Sequence, residues 1–478
     1  MESGPKPLLI GDRWVRTMRT APIFNPFSGE RVADVCQAGE EEVESAIQCA
    51  VSAFAQTRRL PSHVRAAALN AIAQGLSSRT DEVARTITVE AGKAIADARR
   101  EVGRAIQTFT IAAEEAKRIG GDVLPLDLAP GMEPYLGITR RFPIGPVLGI
   151  TPFNFPLNLV AHKVAPCLAA GNPIVIKPAP QTPLTALILG EIVLETALPP
   201  GSLSVVPCDN SLAEKMVKDD RFSMLSFTGS APVGWMLKAK AGKKRVVLEL
   251  GGNAGVIVEP DADLECAAQR CVTGGFGYSG QTCISVQRVF AHEAIYEHFL
   301  ELLVSRVQSL KTGDPTDQAT VVGPVIDQGA ARRIEDWVSE AVAMGAQVRS
   351  GGKRSGVMIE PTVLTEVTSS MKVSREELFG PVVTVTPYGR FEDALAALNQ
   401  SAYGLQAGVF TRDIEKVFLA YRDLQVGTVL ANEIPTFRAD HMPYGGVKDS
   451  GLGREGVRYA IEEMTELKLL VLNLTGAS

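Results

Sequence analysis

The chain has 478 residues, 45% of them apolar, and 48 Lys plus Arg against 54 Asp plus Glu give a formal charge of −6. That length exceeds the roughly 250–300 residues at which one core stops growing, so more than one domain is expected, and the ordinary balance of apolar and charged residues excludes wholesale disorder. The slight acidity leaves no basic surplus to neutralise phosphates, which argues against nucleic acid as a partner.

The first third reads as helical. Val43, Ala46, Ile47, Ala50, Val51 and Phe54 recur at helical spacing, followed by Leu69, Ile72, Ala73 and Leu76. Ser62 stands where an N-cap would for the second run, Thr80 is a candidate cap for 83–87, and a further helix is expected over 94–117. Residues 121–141 carry Leu124, Leu126, Leu128 and a Pro130-Gly131 turn, the pattern of a hairpin. From Gly145 onward, short apolar runs at 147–150, 174–177, 203–206, 224–227 and 246–250 alternate with helical segments near 185–196, 212–218 and 232–241. Near-continuous apolar strands between helices mark a parallel sheet buried on both faces. A second alternating set follows Glu249, with strands at 255–258, 382–385 and 409–410 and helices ending near 277 and starting at 294. The tail, 467–474, has a strand pattern, and it and the hairpin are expected to pair with each other or with another subunit.

Seven cysteines cannot all pair within one chain, none has C-x2-C spacing, and the five histidines do not cluster, so mostly structural thiols, a reducing compartment and no metal site are expected. The amino terminus carries Glu2, Lys6, Asp12 and Arg13 without an apolar run, unlike a secretory signal. The longest uncharged stretch, 143–161, holds four prolines and two asparagines and does not suit a bilayer helix. A cytoplasmic protein without a membrane role is expected.

Several residues could carry chemistry. Cys283 follows a glycine-rich approach (Gly274, Gly275, Gly277, Gly280) able to bring backbone close to a ligand, although a single cysteine is more often a structural thiol. Glu249 interrupts an apolar strand directly before Gly251-Gly252, where a carboxylate either pairs, points outward or gains a raised pKa suited to general-base work. Asn154 lies just beyond the first parallel strand, at the end where such sheets bind ligands, and its amide could hold an oxyanion or simply make a turn. No G-x-G-x-x-G follows a strand. Gly229 and Gly234 have P-loop spacing, but Trp235 replaces the lysine, which leaves a small-residue turn with Ser230 at a helix start, suited to a pyrophosphate. Lys177, ending the 174–177 strand, is a candidate ribose partner.

Taken together, the motifs Thr151-Pro152-Phe153-Asn154-Phe155-Pro156, Lys177-Pro178-Ala179, Phe227-Thr228-Gly229-Ser230, Leu248-Glu249-Leu250-Gly251-Gly252, Gly280-Gln281-Thr282-Cys283, Glu377-Leu378-Phe379-Gly380-Pro381 and Pro443-Tyr444-Gly445-Gly446 resemble the aldehyde dehydrogenase superfamily over nearly the whole chain. The resemblance implies an α/β fold with two doubly wound parallel-sheet domains and a small β oligomerisation arm. A dinucleotide-binding domain would take 1–120 and 142–248, a catalytic domain 249–440, the arm 121–141 and 460–478, with 441–459 returning to the cofactor domain. It implies a homodimer or homotetramer, NAD or NADP as cofactor, and an aldehyde as substrate. Cys283 would be the nucleophile, Asn154 and the Cys283 N–H the oxyanion donors, and Glu249 the base that hydrolyses a thioester. Glu377 would bond the nicotinamide ribose, Phe379 would pack near the nicotinamide, and Ser230 would meet the pyrophosphate.

Two departures from the family pattern matter. Pro180 stands where many NAD-preferring relatives carry a glutamate that repels a 2′-phosphate, so NADP use stays open. His162, Thr282 and Arg438 occupy pocket positions that are aromatic in common relatives, and if they face the substrate a small polar or anionic aldehyde is favoured. The 437–444 stretch looks like the branch containing lactaldehyde dehydrogenases. The alternatives are a dehydrogenase that passes its acyl group to coenzyme A, against which Glu249 argues, and an inactive structural member of the fold.

Overall fold

Five of the apolar runs become the parallel centre of an eight-stranded sheet in the computed structural model, which describes residues 4–475. In spatial order they are Leu203–Val205, Ile174–Lys177, Val147–Ile150, Met224–Thr228 and Arg245–Glu249. Helices on both faces bury these strands, and apart from Arg245 and Val246 every residue in them is buried. The chain moves outward in one direction from Val147–Ile150 and in the other from Met224–Thr228. The crevice at such a reversal, beyond the carboxyl ends of the strands, is where open α/β sheets take ligands.

A second sheet of seven strands runs Gln347–Ser350, Thr362–Thr365, Val382–Tyr388, Val286–His292, Ala254–Val258, Gln406–Phe410 and Thr428–Ala431, parallel except at its first pair. Arg245–Glu249 of the first sheet passes through Leu250 to Asn253 into Ala254–Val258 of the second. The carboxyl ends of one sheet therefore meet the amino ends of the other across a short, glycine-containing joint.

The expected hairpin forms from Val123–Pro125 and Tyr135–Pro143, and the tail strand, Thr465–Asn473, pairs antiparallel along the whole of Tyr135–Pro143. Residues 476–478 of the expected arm, like Glu2, lie outside the described residues. The arm strand starts at Thr465 because residues up to Glu463 form the helix Val457–Glu463, packed on the helix Asn158–Ala170. Just before it, Gly451–Leu452 adds an antiparallel edge beside Arg245–Glu249, pairing Glu249 with Gly451.

Four short strands in the first 36 residues depart from the helical reading of that region: Leu8–Ile10, Arg13–Val15 and the hairpin Thr20–Phe24 with Arg31–Cys36. Leu8–Ile10 is buried but only three residues long, and the other three strands are short and partly exposed, so none gives a sustained apolar period. The two expected caps also differ. Pro61 precedes the helix Ser62–Ser78, and Ser62 accepts a hydrogen bond from Arg65 instead. Thr80 lies so close behind that helix that its hydroxyl donates back to the Leu76 and Ser77 carbonyls, leaving Arg79 at the cap of Thr80–Ala91. Among the described residues no helix is long and apolar enough to cross a membrane.

Candidate active site

A cavity of about 910 Å³ opens at the joint between the sheets, and Asn154, Glu249, Cys283, Glu377, Phe379 and Tyr444 are on its wall. These residues come from widely separated parts of the chain, and the topology brings them together.

Cys283 is placed by an unusual turn. Tyr278 and Ser279 both take left-handed backbone angles, with φ of 49° and 55°, a cost that persists only where surroundings fix it. Here the Tyr278 hydroxyl donates to the Ala91 carbonyl at 3.1 Å and the Ser279 hydroxyl to that of Gly323 at 2.7 Å. Gly280, at φ 68°, passes so near Gly380 that a Cβ would lie 2.1 Å from its carbonyl oxygen. The Gln281 side chain completes the anchor, accepting from the Ile326 N–H at 2.8 Å. On this base Cys283 Sγ lies 3.1 Å from the Tyr444 hydroxyl. Burial pushes the thiol up to about 12, against the lowering effect of that hydrogen bond.

Glu249 ends its strand buried, and neither carboxylate oxygen has a hydrogen-bond partner among the described residues. Burial, reinforced by the nearby charge of Glu455, holds its carboxyl well above the usual range, while Arg438, Lys163 and Arg454 pull the other way. Asn154 donates one side-chain N–H to the Gln281 carbonyl at 3.0 Å, which fixes which end of the amide is nitrogen. Its second N–H and the Cys283 backbone N–H have no acceptor among the described residues. Two donors without partners thus belong to residues that share a cavity wall with a thiol.

Beneath the site runs the helix Asn158–Ala170, buried along its entire length; a charge network partners His162, Lys163 and the Asn158 amide nitrogen, while the Asn158 Oδ1 has no partner among the described residues. Lys163 donates to Thr228 at 2.8 Å and Ser226 at 3.0 Å and reaches Glu455 at 3.4 Å. Glu455 also pairs with Arg438, and these cations hold its carboxylate down to about 2 despite burial. Asp440 receives both Arg104, at 2.7 Å, and His162, at 2.9 Å.

Of the residues expected to meet a cofactor, Gly229, Ser230, Glu377 and Phe379 line the cavity, whereas Lys177 and Gly234 do not. Lys177 is buried with its ammonium 3.4 Å from Asn210, and Gly234 lies under Leu250, where a Cβ would fall 2.3 Å from a Leu250 methyl. Of the residues expected to meet substrate, Thr282 and Arg438 line the cavity; His162 is turned into its hydrogen bond with Asp440 and is not on the wall.

Residues 14–470 match the aldehyde dehydrogenase family. The chain belongs to that family. It is 43% identical over 468 residues to the 3-sulfolactaldehyde dehydrogenase of Priestia aryabhattai, covering 98% of each chain. Among solved structures it is similar to aldehyde dehydrogenase 21 from Physcomitrella patens in complex with the reaction product succinate, with 45% identity, a TM-score of 0.97 and coverage of 99% of this chain and 100% of that one. It is also similar to the NADP-dependent glyceraldehyde-3-phosphate dehydrogenase from Bacillus halodurans C-125 complexed with NADP, with 36% identity, a TM-score of 0.96 and the same coverage. As an aldehyde dehydrogenase, this enzyme oxidises an aldehyde to a carboxylate with NAD or NADP.

The residues present fit such a cofactor. Glu377 accepts the Gly252 N–H at 2.9 Å, and a Cβ on Gly251 would lie 2.4 Å from its other oxygen, so the glycine pair is what admits this carboxylate to the cavity. Burial raises the Glu377 carboxyl to about 7. Phe379, at φ 51°, packs edge-on against Phe153 with ring centres 5.9 Å apart. Ser230 precedes the helix Ala231–Lys240 without using its own side chain as a cap, leaving a turn open to an anion.

Sequence reasoning gave no role to Tyr444, Arg104, Asp440 or Glu455. Arg104 and Asp440 are 336 residues apart, and no local spacing announces such a pair. Tyr444 lies in the 443–446 motif and, with Asp440, in the 437–444 stretch, and those were the available signals.

Proposed function

We propose that this aldehyde dehydrogenase acts on a small anionic aldehyde through a covalent intermediate on Cys283. The observation that carries the reading is the convergence of Cys283, two donors without partners and the unpaired carboxylate of Glu249 on one cavity. The Cys283 thiolate attacks the aldehyde carbon; a C–S bond forms and the carbonyl pair moves onto oxygen. The free N–H of Asn154 and the backbone N–H of Cys283 receive that oxyanion. A nicotinamide bound there would supply the acceptor for the hydride that leaves the former aldehyde carbon as its C–H bond breaks and the oxyanion pair re-forms the carbonyl, which would leave a thioester on Cys283. Glu249 then takes a proton from water, whose oxygen attacks the thioester; the C–S bond breaks and the carboxylate departs. A raised carboxyl pKa makes Glu249 a stronger base once ionised.

Gly229 and Ser230 would hold the pyrophosphate, Glu377 the nicotinamide ribose and Phe379 the ring's surroundings. With Pro180 in place of a repelling carboxylate, nothing at that position opposes a 2′-phosphate, so the cofactor is NAD or NADP. The anionic substrate is supported by Arg438, whose buried Nε on the cavity wall has no hydrogen-bond partner among the described residues, and by Arg104 on the same wall. The sulfonate implied by 3-sulfolactaldehyde, the succinate product and the phosphate of glyceraldehyde 3-phosphate agree with it.

The same proposal covers assembly. The outer strand Thr465–Asn473 exposes Leu467, Leu469, Leu470, Val471 and Leu472, a run that suits burial against another subunit in a homodimer or homotetramer. It includes the domain division set out above: cofactor domain at 1–120 and 142–248, catalytic domain at 249–440, arm at 121–141 and 460–478, with 441–459 between.

An absorbance assay of nicotinamide reduction, crossing both cofactors with an aldehyde panel, tests the reading. Aldehydes bearing a carboxylate, sulfonate or phosphate are expected to give a higher kcat/KM than hexanal or benzaldehyde, with lactaldehyde between. The reverse order would overturn the substrate assignment. Formation of an acyl-CoA product in place of a free acid would overturn the hydrolytic step.

A further inference from the structure

Tyr444 is buried, and the sole hydrogen-bond partner of its hydroxyl among the described residues is the sulfur of Cys283, at 3.1 Å. The ring is held on several sides. Arg438 lies over its face with the guanidinium carbon 3.7 Å from the ring centre, and Ile284 and Leu405 pack with it in a small apolar cluster. Its backbone is fixed as well, exchanging hydrogen bonds with Glu455, the residue that anchors Arg438. A phenol held this firmly against one sulfur has one chemical use there.

We propose that Tyr444 is a hydrogen-bond donor to the reacting sulfur of Cys283, stabilising the thiolate both before attack and when it leaves the thioester. The proposal rests on Cys283 being the nucleophile. The proton balance is simple: Cys283 releases its S–H proton to solvent, and the phenol keeps its own while pointing it at the sulfur anion. In the reverse sense, as the C–S bond of the thioester breaks, the same O–H meets the electron pair that returns to sulfur. Arg438 over the ring face favours this division, since a neighbouring cation makes the phenol a better donor.

The charges facing the sulfur show why a donor is needed. Glu249, at the end of its strand, and Glu377, on the loop before Val382–Tyr388, both disfavour a second negative charge. Arg438 favours it, but its charge is already shared with Glu455. Burial disfavours the thiolate most, and Tyr444 gives the largest contribution in the opposite direction. A donor that raises the thiolate fraction also lowers its nucleophilicity, but the loss is about half the gain on a logarithmic scale, so at a pH below the thiol pKa the donor wins.

The test is the pH profile of Cys283 alkylation by iodoacetamide in the full-length enzyme, followed by mass analysis of the Cys283 peptide so that the exposed Cys266 does not contribute. Tyr444→Phe removes one oxygen and keeps the ring. It is expected to move the alkylation midpoint up by about one pH unit, leaving about tenfold less thiolate at a fixed pH below it. A Tyr444→Phe profile that superimposes on that of the unaltered enzyme would overturn the proposal. If this variant does not fold, 3-fluorotyrosine incorporation serves: the more acidic phenol should move the midpoint down, and no movement would overturn the proposal. Cys283→Ala separates the two layers. Loss of turnover in Cys283→Ala with an unmoved Tyr444→Phe profile sinks the donor alone, whereas retained turnover in Cys283→Ala sinks the nucleophile itself.

Discussion

Arg438 and Glu455 form an ion pair at 2.9 Å, with their side chains 6% and 3% exposed, and the pair links the cavity wall electrostatically to Glu249, the proposed general base. Glu455 is the main charge holding the Glu249 carboxyl up, and it is also what keeps Arg438 in place on the cavity wall. Glu455→Gln should therefore act twice. Removing one partner of a buried pair costs about 3–5 kcal/mol, visible as a lower unfolding midpoint. The loss of the negative charge lets Glu249 ionise more readily, so the rising limb of the kcat–pH profile should move to lower pH. A limb that stays in place would separate Glu455 from the base.

Specificity should reside in the arginines. Arg104→Leu is expected to lower kcat/KM for an aldehyde carrying a carboxylate or sulfonate by about 10- to 100-fold, the worth of one charged hydrogen bond at about 1.5–3 kcal/mol. Propanal should lose far less. Equal losses for charged and uncharged aldehydes would show that Arg104 supports the fold through Asp440, not the substrate.

Glu377 gives a pH dependence of cofactor binding. Its carboxyl is raised to about 7, so it is largely neutral at pH 6 and largely ionised at pH 8. An ionised carboxylate is the better acceptor for ribose hydroxyls, so the Kd for NAD should fall as the pH rises across that window. Titration calorimetry should find weaker binding and a flat pH response in Glu377→Gln. A wild-type Kd that rises with pH would contradict the assignment.

A buried ion pair also holds the loop that carries Asn154. Lys93 pairs with Glu101 inside the protein and lies over the rings of Phe155 and Tyr278, while Glu101 accepts the N–H groups of Leu157 and Asn158. Lys93→Met should cost about 3–5 kcal/mol by leaving Glu101 unpaired. It should also lower kcat, because the loops carrying Asn154 and Cys283, on either side of the proposed oxyanion site, lose their common tie. Denaturant unfolding alongside steady-state kinetics checks both, and an unchanged midpoint would refute the role.

The parallel strands were legible in the sequence because burial on both faces leaves nearly unbroken apolar runs, as at Ile174–Lys177. The amino-terminal hairpin Thr20–Phe24 and Arg31–Cys36 was not, since strands exposed over much of their length need no such run. Cys283, Glu249 and Asn154 could be singled out because each sits beside glycines, prolines or a strand end that restrict the backbone. Tyr444, Glu455 and Arg104 could not, for their roles arise from partners hundreds of residues away or from the direction a side chain takes. His162 illustrates the converse: its place in the sequence pointed at the substrate, but a helix buried on every side gave its ring to Asp440.

The most direct test of covalent catalysis at Cys283 is to mix Glu249→Gln with cofactor and an anionic aldehyde, quench in acid and weigh the Cys283 peptide. The peptide should carry the acyl group of the substrate, and about one equivalent of reduced cofactor per active site should form in a burst followed by slow turnover. An unmodified Cys283 peptide, with turnover as fast as that of the unaltered enzyme, would contradict the account.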